Sequence, residues 1–600
     1  MIETSTPPLA ALDGYRNITD LLVARVAAAP DHVAFEVDDA AQPGTWRPVT
    51  TRQFADAVSA LAKGFIARGV QPGDPIAIMA PTRYEWAVAD LASWYAGAVV
   101  VPIYDSSSPS QVDAIVADAG VRLAIGGTAA HADLLRAAFD RAPGDALGAW
   151  TMDAAESGSL ADLVASGADV SDDELQARRT TATQDDAATI VYTSGTTGAP
   201  KGVVLTHRNF LGQVLNIAAA YHEIVRENGN TVIFLPLAHV LARGLQLICL
   251  ASGMRIAHLS DPSTVVATLD TLRPTFLVVV PRVLQKIQAA AGDKAADKGL
   301  SAVWAKAVST AISWGRRAEA IDRGERVGAE LALTLRRRLF DAVFFRRLRT
   351  VMGGRVEYIL SGGAALDADV SLFFRGIGVP VIEGYGLTET TAPLTGNLPG
   401  RITSGTVGPP LPGLTVRIAD DGEVLARGVG VFRGYRDPEH DGEAFVDGFF
   451  RTGDLGRLDD RGNLVLEGRV KDVIVTSNGK TVVPTRWEST VESDPLVSHA
   501  VMVGEGKPYL SALLVLDPEQ AAAAAPTGGD IRVVDDPALR ERLQRAVDAA
   551  NALVARSEQV RRFTVVLADL DDRELVTPTM KLKRSVVLDR AVATVEALYV

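Results

Sequence analysis

The chain of 600 residues contains a single cysteine, Cys249, and eight histidines with no His-x-x-x-His pair. No intrachain disulfide and no cysteine metal cluster can form, so a packed core has to hold the fold and a reducing compartment is expected. Cys249 lies within Leu-Gln-Leu-Ile-Cys-Leu-Ala and reads as a buried, inert thiol. Long apolar runs are also missing. The most conspicuous, Leu91 to Tyr104, is shorter than the ~20 residues that cross a bilayer and is interrupted by Pro102. The opening Met-Ile-Glu-Thr-Ser-Thr-Pro-Pro lacks the basic-then-apolar order of a secretory signal, so a cytoplasmic location is expected. Positive charge is in deficit as well. A net charge of −13 argues against general affinity for nucleic acid or an anionic membrane and leaves only local basic patches to be argued one by one.

What is present is the composition of a soluble globular protein, 47% hydrophobic and 22% charged, in a chain too long for one core. From Pro75 onward short apolar runs alternate with amphipathic stretches: Pro75-Ile-Ala-Ile-Met-Ala, Tyr84 to Tyr95, Ala98-Val-Val-Val-Pro-Ile-Tyr, Gln111 to Ala119, Leu123-Ala-Ile. That rhythm predicts strands and helices in doubly wound parallel α/β layers. Thr206 is placed to cap a helix starting at His207, and Thr231-Val-Ile-Phe-Leu and Thr275-Phe-Leu-Val-Val-Val read as buried strands. Between Gly405 and Gly468 short strands with Gly and Asp turns predict a small β-rich unit. A boundary follows at Arg469. Beyond it, a strand at Val473-Ile-Val, a turn at Asn478-Gly479, a hairpin from Ala500 and Tyr509 and a helix from Leu539 to Ala555 predict a compact α+β domain, with Ala521 to Asp530 as a surface loop. The expected architecture is α/β: a large N-terminal domain of doubly wound subdomains plus a β-rich subdomain over 1–468, then a small mobile α+β domain over 469–600.

One basic stretch interrupts the acidic background. From Arg336 to Arg349 there are six arginines with Leu339, Phe344, Phe345 and Leu348 among them. A solvated amphipathic helix accounts for this pattern, and a contact with the membrane surface is the sharper reading.

The strongest chemical signal is Thr193-Ser-Gly-Thr-Thr-Gly-Ala-Pro-Lys201-Gly, held between two apolar strands. Gly195, Gly198 and Gly202 let backbone N–H groups approach an anion. Thr193, Ser194, Thr196 and Thr197 add hydroxyl donors, and Lys201 adds a positive charge. The loop is built for the phosphates of a nucleotide triphosphate. It is no Walker A loop, because Lys201 follows Pro200 and leads into Gly-Val-Val-Leu rather than into a helix, which disfavours a P-loop phosphotransferase.

Further motifs follow in order: Tyr385-Gly-Leu-Thr-Glu-Thr, Arg451-Thr-Gly-Asp-Leu, Gly468-Arg-Val-Lys-Asp and Thr577-Pro-Thr-Met-Lys-Leu-Lys-Arg. With the phosphate loop they resemble the adenylate-forming superfamily, which contains acyl-CoA synthetases, luciferases and peptide-synthetase adenylation domains. The resemblance runs through nearly the whole chain and implies activation of a carboxylate by ATP. It places Tyr385 and the Gly386 turn against adenine, with Gly363 and Ala364 on the adenine side, Thr388 at phosphate and Glu389 on Mg²⁺. It puts Asp454 on the ribose, supported by Arg469. Lys581 is matched to the family's catalytic lysine because Arg584 follows it by three residues, with Lys583 as the alternative and Met580 where many relatives have glycine. Lys471 takes the hinge position, and the Asn478-Gly479-Lys480 turn resembles the loop used in thioester formation.

Val100-Val-Pro-Ile-Tyr, Leu235-Pro-Leu-Ala-His, Pro281-Arg-Val and Leu575-Val-Thr-Pro-Thr-Met-Lys are similar to long-chain acyl-CoA synthetases, which implies that His239 borders an acyl pocket. Leu241-Ala242 and Leu284-Gln285 depart from that group. The implied substrates are a fatty acid, ATP and CoA, with Mg²⁺ as cofactor. Transfer of the acyl group to a carrier protein, or a non-catalytic nucleotide-binding relative, are the competing expectations.

Overall fold

The computed structural model describes residues 2–39, 42, 44–142, 144–153, 157–193, 200–328, 330–517, 531–570, 572, 574–577 and 581–600. Two large sheets form the centre. The first has seven strands in the order Gly434–Tyr435, Lys201–Thr206, Ala187–Thr193, Val99–Ile103, Pro75–Met79, Leu123–Gly126, Gly148–Thr151. Its middle is parallel, and Val99–Ile103 is buried along its whole length, which is why it reads as an unbroken apolar run. The second sheet has eight strands. From Thr395–Gly396 it runs through Val381–Tyr385, Tyr358–Ser361, Phe276–Val279, Asn230–Ile233 and Arg255–His258 to Val33–Asp38 and Trp46–Thr50. The α/β rhythm from Pro75, the strands at Thr231 and Thr275 and the cap at Thr206 are all present. The Thr206 hydroxyl accepts from Asn209 N–H, and the Asn209 side chain accepts from Thr206 N–H in return.

The strand order corrects one expectation. The rhythm begins before Pro75: Val33–Asp38 and Trp46–Thr50 form a hairpin that completes the second sheet, beside Arg255–His258, rather than the first. Val33-Ala-Phe-Glu-Val-Asp carries an apolar alternation of its own, but only long-range pairing assigns it and its partner strand to this sheet. The β-rich unit is recruited in the same way. Leu414–Ile418, Glu423–Gly428, Phe449–Leu458 and Leu464–Arg469 build it, but its edge is Glu3–Thr6, while Gly434–Tyr435 leaves it for the first sheet.

A buried ion pair stitches the layers together. Arg243, on helix Val240–Ser252, binds Asp90 of helix Tyr84–Tyr95 and donates to Thr189 Oγ1 at 2.8 Å, with the Trp94 ring centroid 4.6 Å away. Removing one partner of such a pair typically costs about 3–5 kcal/mol, because the other charge stays buried alone. Cys249, on the same helix, is buried and its thiol is pushed up by burial, as an inert cysteine should be.

The C-terminal domain has a four-stranded sheet, Val497–Val503, Leu510–Leu516, Val560–Ala568 and Ile531–Val533, backed by helices Thr485–Val491 and Pro537–Asn551. The expected hairpin is the antiparallel pair Val497–Val503 and Leu510–Leu516. The segment Ala521 to Asp530 and its neighbours from 518 lie outside the described residues. Arg469, expected to open this domain, is the last residue of a strand of the N-terminal sheet, opposite Asp454; the turn Val470–Asp472 then leads across.

Candidate active site

The phosphate loop joins an antiparallel hairpin, Ala187–Thr193 and Lys201–Thr206, in which Thr193 and Lys201 face each other across the ladder. Ser194, Gly195, Thr196, Thr197 and Gly198 lie outside the described residues. The Lys201 ammonium sits 5.6 Å from the centroid of the Tyr435 ring. The Tyr435 hydroxyl in turn donates to Glu389 Oε1 at 3.1 Å. Tyr435 therefore links the lysine of the phosphate loop to the glutamate expected at the metal. No motif pointed to it, because it arrives on a two-residue strand that pairs with the lysine strand only in the fold.

Val381–Tyr385 delivers the next group. A side chain at Gly386 would put its Cβ 2.9 Å from Leu394 N and Pro393 Cα, so the backbones approach too closely for any residue but glycine. The chain then makes a tight turn, Thr388–Thr390, that carries Thr388 and Glu389. Burial lifts the Glu389 carboxyl above its usual range, while the Tyr435 hydroxyl and Arg469 pull against it. Among the described residues no three His, Cys, Asp or Glu side chains converge as a metal cage. One carboxylate is the donor set Mg²⁺ accepts when phosphate oxygens and water supply the rest, so the residues present fit the expected ion.

Asp454, with a side chain only 8% exposed, accepts the Tyr385 hydroxyl at 2.6 Å on Oδ2 and Arg469 Nε at 3.0 Å on Oδ1. A carboxylate has about four acceptor positions, so two remain for ribose hydroxyls. Burial raises its pKa, and Arg469, then Tyr385 and Lys581, oppose the rise. Gly363 and Ala364 lie exposed just after strand Tyr358–Ser361. Glu383, two residues before Tyr385, is a group that sequence reasoning did not single out. Burial pushes its carboxyl up to about 8, with Glu319 and Asp367 adding to the rise and Gly405 N–H and Ser371 opposing it. It is a neutral acid at pH 7, able to donate as well as accept.

Lys581 comes from the other domain. Thr577 and Lys581 close a narrow turn, Lys581 N–H donating to Thr577 Oγ1 at 3.0 Å and Thr577 N–H to Lys581 O at 2.8 Å. Arg584 pins that turn to the domain core through Glu488 Oε1, at 2.8 Å, and the Met502 carbonyl. The side chain is crowded by protein yet still reached by water, and it stands close enough to Asp454 and His239 for its charge to act on both. Burial and Arg469 hold its ammonium below the ordinary lysine range, and Asp454 opposes them. Lys583 faces another way, toward Asp572.

His239 is the cap of helix Val240–Ser252. Its Nδ1 accepts from Leu241 N–H at 3.2 Å, and burial, then Lys581, pushes its pKa down to about 4. It is a neutral imidazole with the proton on Nε2. An apolar cavity of about 40 Å³ lies beyond it, lined by Leu241, Leu245, Ile248, Tyr221, Ile224 and Ile382 among others. His239 is not in the cavity wall; it stands two residues before Leu241. A void of this size holds about one water, so an alkyl chain has to push these side chains apart. A larger cavity, about 440 Å³, is lined by Pro75, Val99 and Arg436 and reaches Tyr435, the residue that links Lys201 to Glu389.

The domains are also joined through Arg282. Arg282, on helix Pro281–Ala296, binds Asp517 Oδ2 at 3.0 Å and donates to the carbonyls of Glu492 and Pro495. Lys471 occupies the turn Val470–Asp472, its ammonium lowered by partial burial and by Arg469. Gly479, with φ +72°, has no atom within 4 Å of where a Cβ would stand. In this pose Lys581 is at the cleft, while the Cβ position of Gly479 faces open space and the neighbouring Lys480 is paired with Glu558.

A hairpin bearing Thr193 and Lys201, the lone carboxylate Glu389, the buried Asp454 and a lysine from the second domain are the arrangement expected of a two-domain adenylate-forming enzyme. The chain belongs to the AMP-binding enzyme family: residues 22–436 match the AMP-binding enzyme domain and residues 471–600 its C-terminal domain. It is 38% identical over 613 residues to long-chain-fatty-acid–CoA ligase FadD15 of Mycobacterium bovis, covering 100% of both chains. It is 27% identical to long-chain-fatty-acid–CoA ligase 6 of Mus musculus, over 93% of this chain and 83% of that one. Its fold is similar to those of the anthranilate CoA ligase AuaEII (TM-score 0.72, 19% identity, 97% and 98% covered) and ATP-bound MatB from Rhodopseudomonas palustris (0.68, 24%, 96% and 99%).

Proposed function

We propose that the chain is a long-chain fatty acid–CoA ligase that forms an acyl-adenylate and then a thioester. The observation that carries this reading is Lys581, delivered by the C-terminal domain to within electrostatic reach of Asp454 and His239. The names of the full-length relatives support the substrate class. In the first half-reaction a fatty carboxylate attacks the α-phosphorus of ATP and pyrophosphate leaves. Lys581 stabilises the charge that gathers where carboxylate and α-phosphate meet; Thr193, Lys201 and the loop between them hold the phosphates. Asp454, with Arg469 behind it, fixes the ribose, and Tyr385, Gly386, Gly363 and Ala364 shape the adenine side. Thr388 reaches phosphate. Glu389 would hold Mg²⁺, which when bound would supply Lewis-acid charge at the triphosphate. In the second half-reaction the CoA thiolate displaces AMP, with the C-terminal domain turning about Lys471 to present the Gly479 turn.

The acyl chain enters the apolar cavity beyond His239. Each methylene buried there contributes about 0.8 kcal/mol, so long acids are favoured over short ones. The same reading places the enzyme in the cytoplasm, drawing fatty acid from the inner face of the membrane. The test is fatty acid-dependent AMP release with and without CoA, across chain lengths, with a phosphopantetheinylated carrier replacing CoA in a parallel arm. CoA-dependent turnover rising toward long chains is expected. A higher specificity constant for acetate or benzoate than for palmitate, or turnover with the carrier alone, refutes the proposal.

A further inference from the structure

The six arginines between Arg336 and Arg349 do not share one role. Arg337 donates to the carbonyl of Gly376, and Arg349 binds Asp341 and the carbonyl of Ile377, so these two tie the segment to helix Ala368–Gly376 and its end. Arg336, Arg338, Arg346 and Arg347 are exposed. Between them the helices leave out in water what helices normally bury. Leu331 is 75% exposed, Leu335 64%, Leu339 60% and Val343 38%.

These four residues are spaced by four along Leu331–Phe340 and the π-helical turn Asp341–Phe345. In an α-helix that spacing drifts by ~40° per step. The wider π turn takes back part of the drift, so Val343 falls near the line of the three leucines. Leu333, Phe340, Phe345 and Leu348 meanwhile face the core. The segment thus has two apolar faces, one buried and one uncovered, and the uncovered one is flanked by cationic side chains. Across Leu331 to Arg349 the only acid is Asp341, already bound by Arg349, in a chain whose net charge is −13.

We infer that the stripe Leu331, Leu335, Leu339 and Val343, with Arg336, Arg338, Arg346 and Arg347 beside it, docks on an anionic lipid bilayer. Charge complementarity chooses this occupant over a second copy of the chain. A two-fold contact through the same face would set four arginines against four arginines, whereas acyl chains take the leucines while anionic headgroups take the guanidinium groups. The proposal deepens the reading in which fatty acid is taken from the membrane, and its test does not depend on catalysis.

The experiment is co-sedimentation of the full chain with phosphatidylcholine vesicles, with and without phosphatidylglycerol. Binding is expected only with the anionic lipid and is expected to fade as salt is raised. Arg336→Gln with Arg338→Gln should weaken it about fivefold per arginine. Leu335→Ser with Leu339→Ser should abolish it, with an unchanged melting temperature and unchanged AMP release from a short, freely soluble fatty acid. Should the leucine pair melt early, the arginine pair decides, because it alters only solvated groups. Binding that ignores lipid charge, variants that bind like the wild type, or a dimer in sedimentation equilibrium that the leucine variant abolishes would each overturn the inference. Failure of acyl-CoA formation with vesicle binding intact would overturn the proposed function and leave the docking face standing.

Discussion

Asp454 and Lys581 meet across the same cleft but reach it by different routes. Asp454 is held by its own sheet: Arg469 sits opposite it on the neighbouring strand, and Tyr385 closes on it from the end of another. Its geometry is built into the N-terminal domain. Lys581 rides on a small turn whose anchor, Arg584 against Glu488, lies wholly within the C-terminal domain. Its place at the cleft depends on how that domain is docked, and Arg282 is among the contacts that hold the docking. One side of the site is preorganised by a sheet, the other by a domain pose. Groups of the first kind should affect nucleotide binding, and groups of the second should separate the two half-reactions.

The largest effect should come from Lys581→Ala. Pyrophosphate exchange is expected to fall on the order of 10²-fold or more, while CoA transfer from supplied acyl-adenylate is spared. Lys583→Ala is the matched control. Equal damage to both steps would erase the contrast with Asp454. Next comes Asp454→Ala, which leaves Tyr385 and Arg469 without their acceptor. ATP affinity by calorimetry should drop roughly 10- to 100-fold, the range of a single charge-assisted hydrogen bond. Unchanged affinity would mean the sheet-held side does not bind the ribose.

Arg282→Ala sharpens the comparison at the domain contact. Its guanidinium is engaged by Asp517 and the carbonyls of Glu492 and Pro495, so a loss of about tenfold is expected in adenylation alone, with Arg282→Lys recovering part of it. Single-turnover measurement of each half-reaction decides this, and parallel losses in both would make Arg282 a stability residue.

A pH profile offers a subtler probe. Lys581 must be protonated to stabilise phosphoryl charge, and its pKa is lowered by burial and Arg469 and held up by Asp454. In Asp454→Asn the alkaline limb of adenylation should therefore move to lower pH, and in Arg469→Gln to higher pH. The smallest effect concerns Glu383. Its folded-state pKa, raised by burial to about 8 from 4.5, means the folded protein keeps a proton that the unfolded chain releases. Stability from this group falls as pH rises between those values. Glu383→Gln should remove that slope, so its melting temperature relative to the wild type should gain on the order of a few degrees between pH 5 and pH 8. A constant difference across that window would mean Glu383 is already ionised.

Much of this was legible in the order of residues, because adenylate chemistry needs particular groups close together along the chain. A phosphate loop requires glycines and hydroxyls within a few residues, and the Tyr385–Glu389 segment is one strand end and one turn. The lysine followed by Arg584 is likewise local, since the arginine anchors the same turn. Local geometry of this kind survives without knowledge of the fold. The α/β layering from Pro75 and the hairpin after Val497 were legible for the same reason: each is a periodic apolar pattern.

What the tertiary structure alone decided is who meets whom. Tyr435 between Lys201 and Glu389, Tyr385 on Asp454, the neutral state of Glu383 and the recruitment of residues 3–6 and 33–50 into distant sheets all arise from pairings across tens to hundreds of positions. No periodicity records such pairings. The arginine segment shows the same division: its charge and leucines stand in the sequence, but only packing reveals that Arg337 and Arg349 are spent on the core and that three leucines remain uncovered. Covalent order fixes which groups are available within a turn or a strand. Burial and long-range contact fix which of them are charged, which are paired and which face water, because these depend on every chain segment that packs around them.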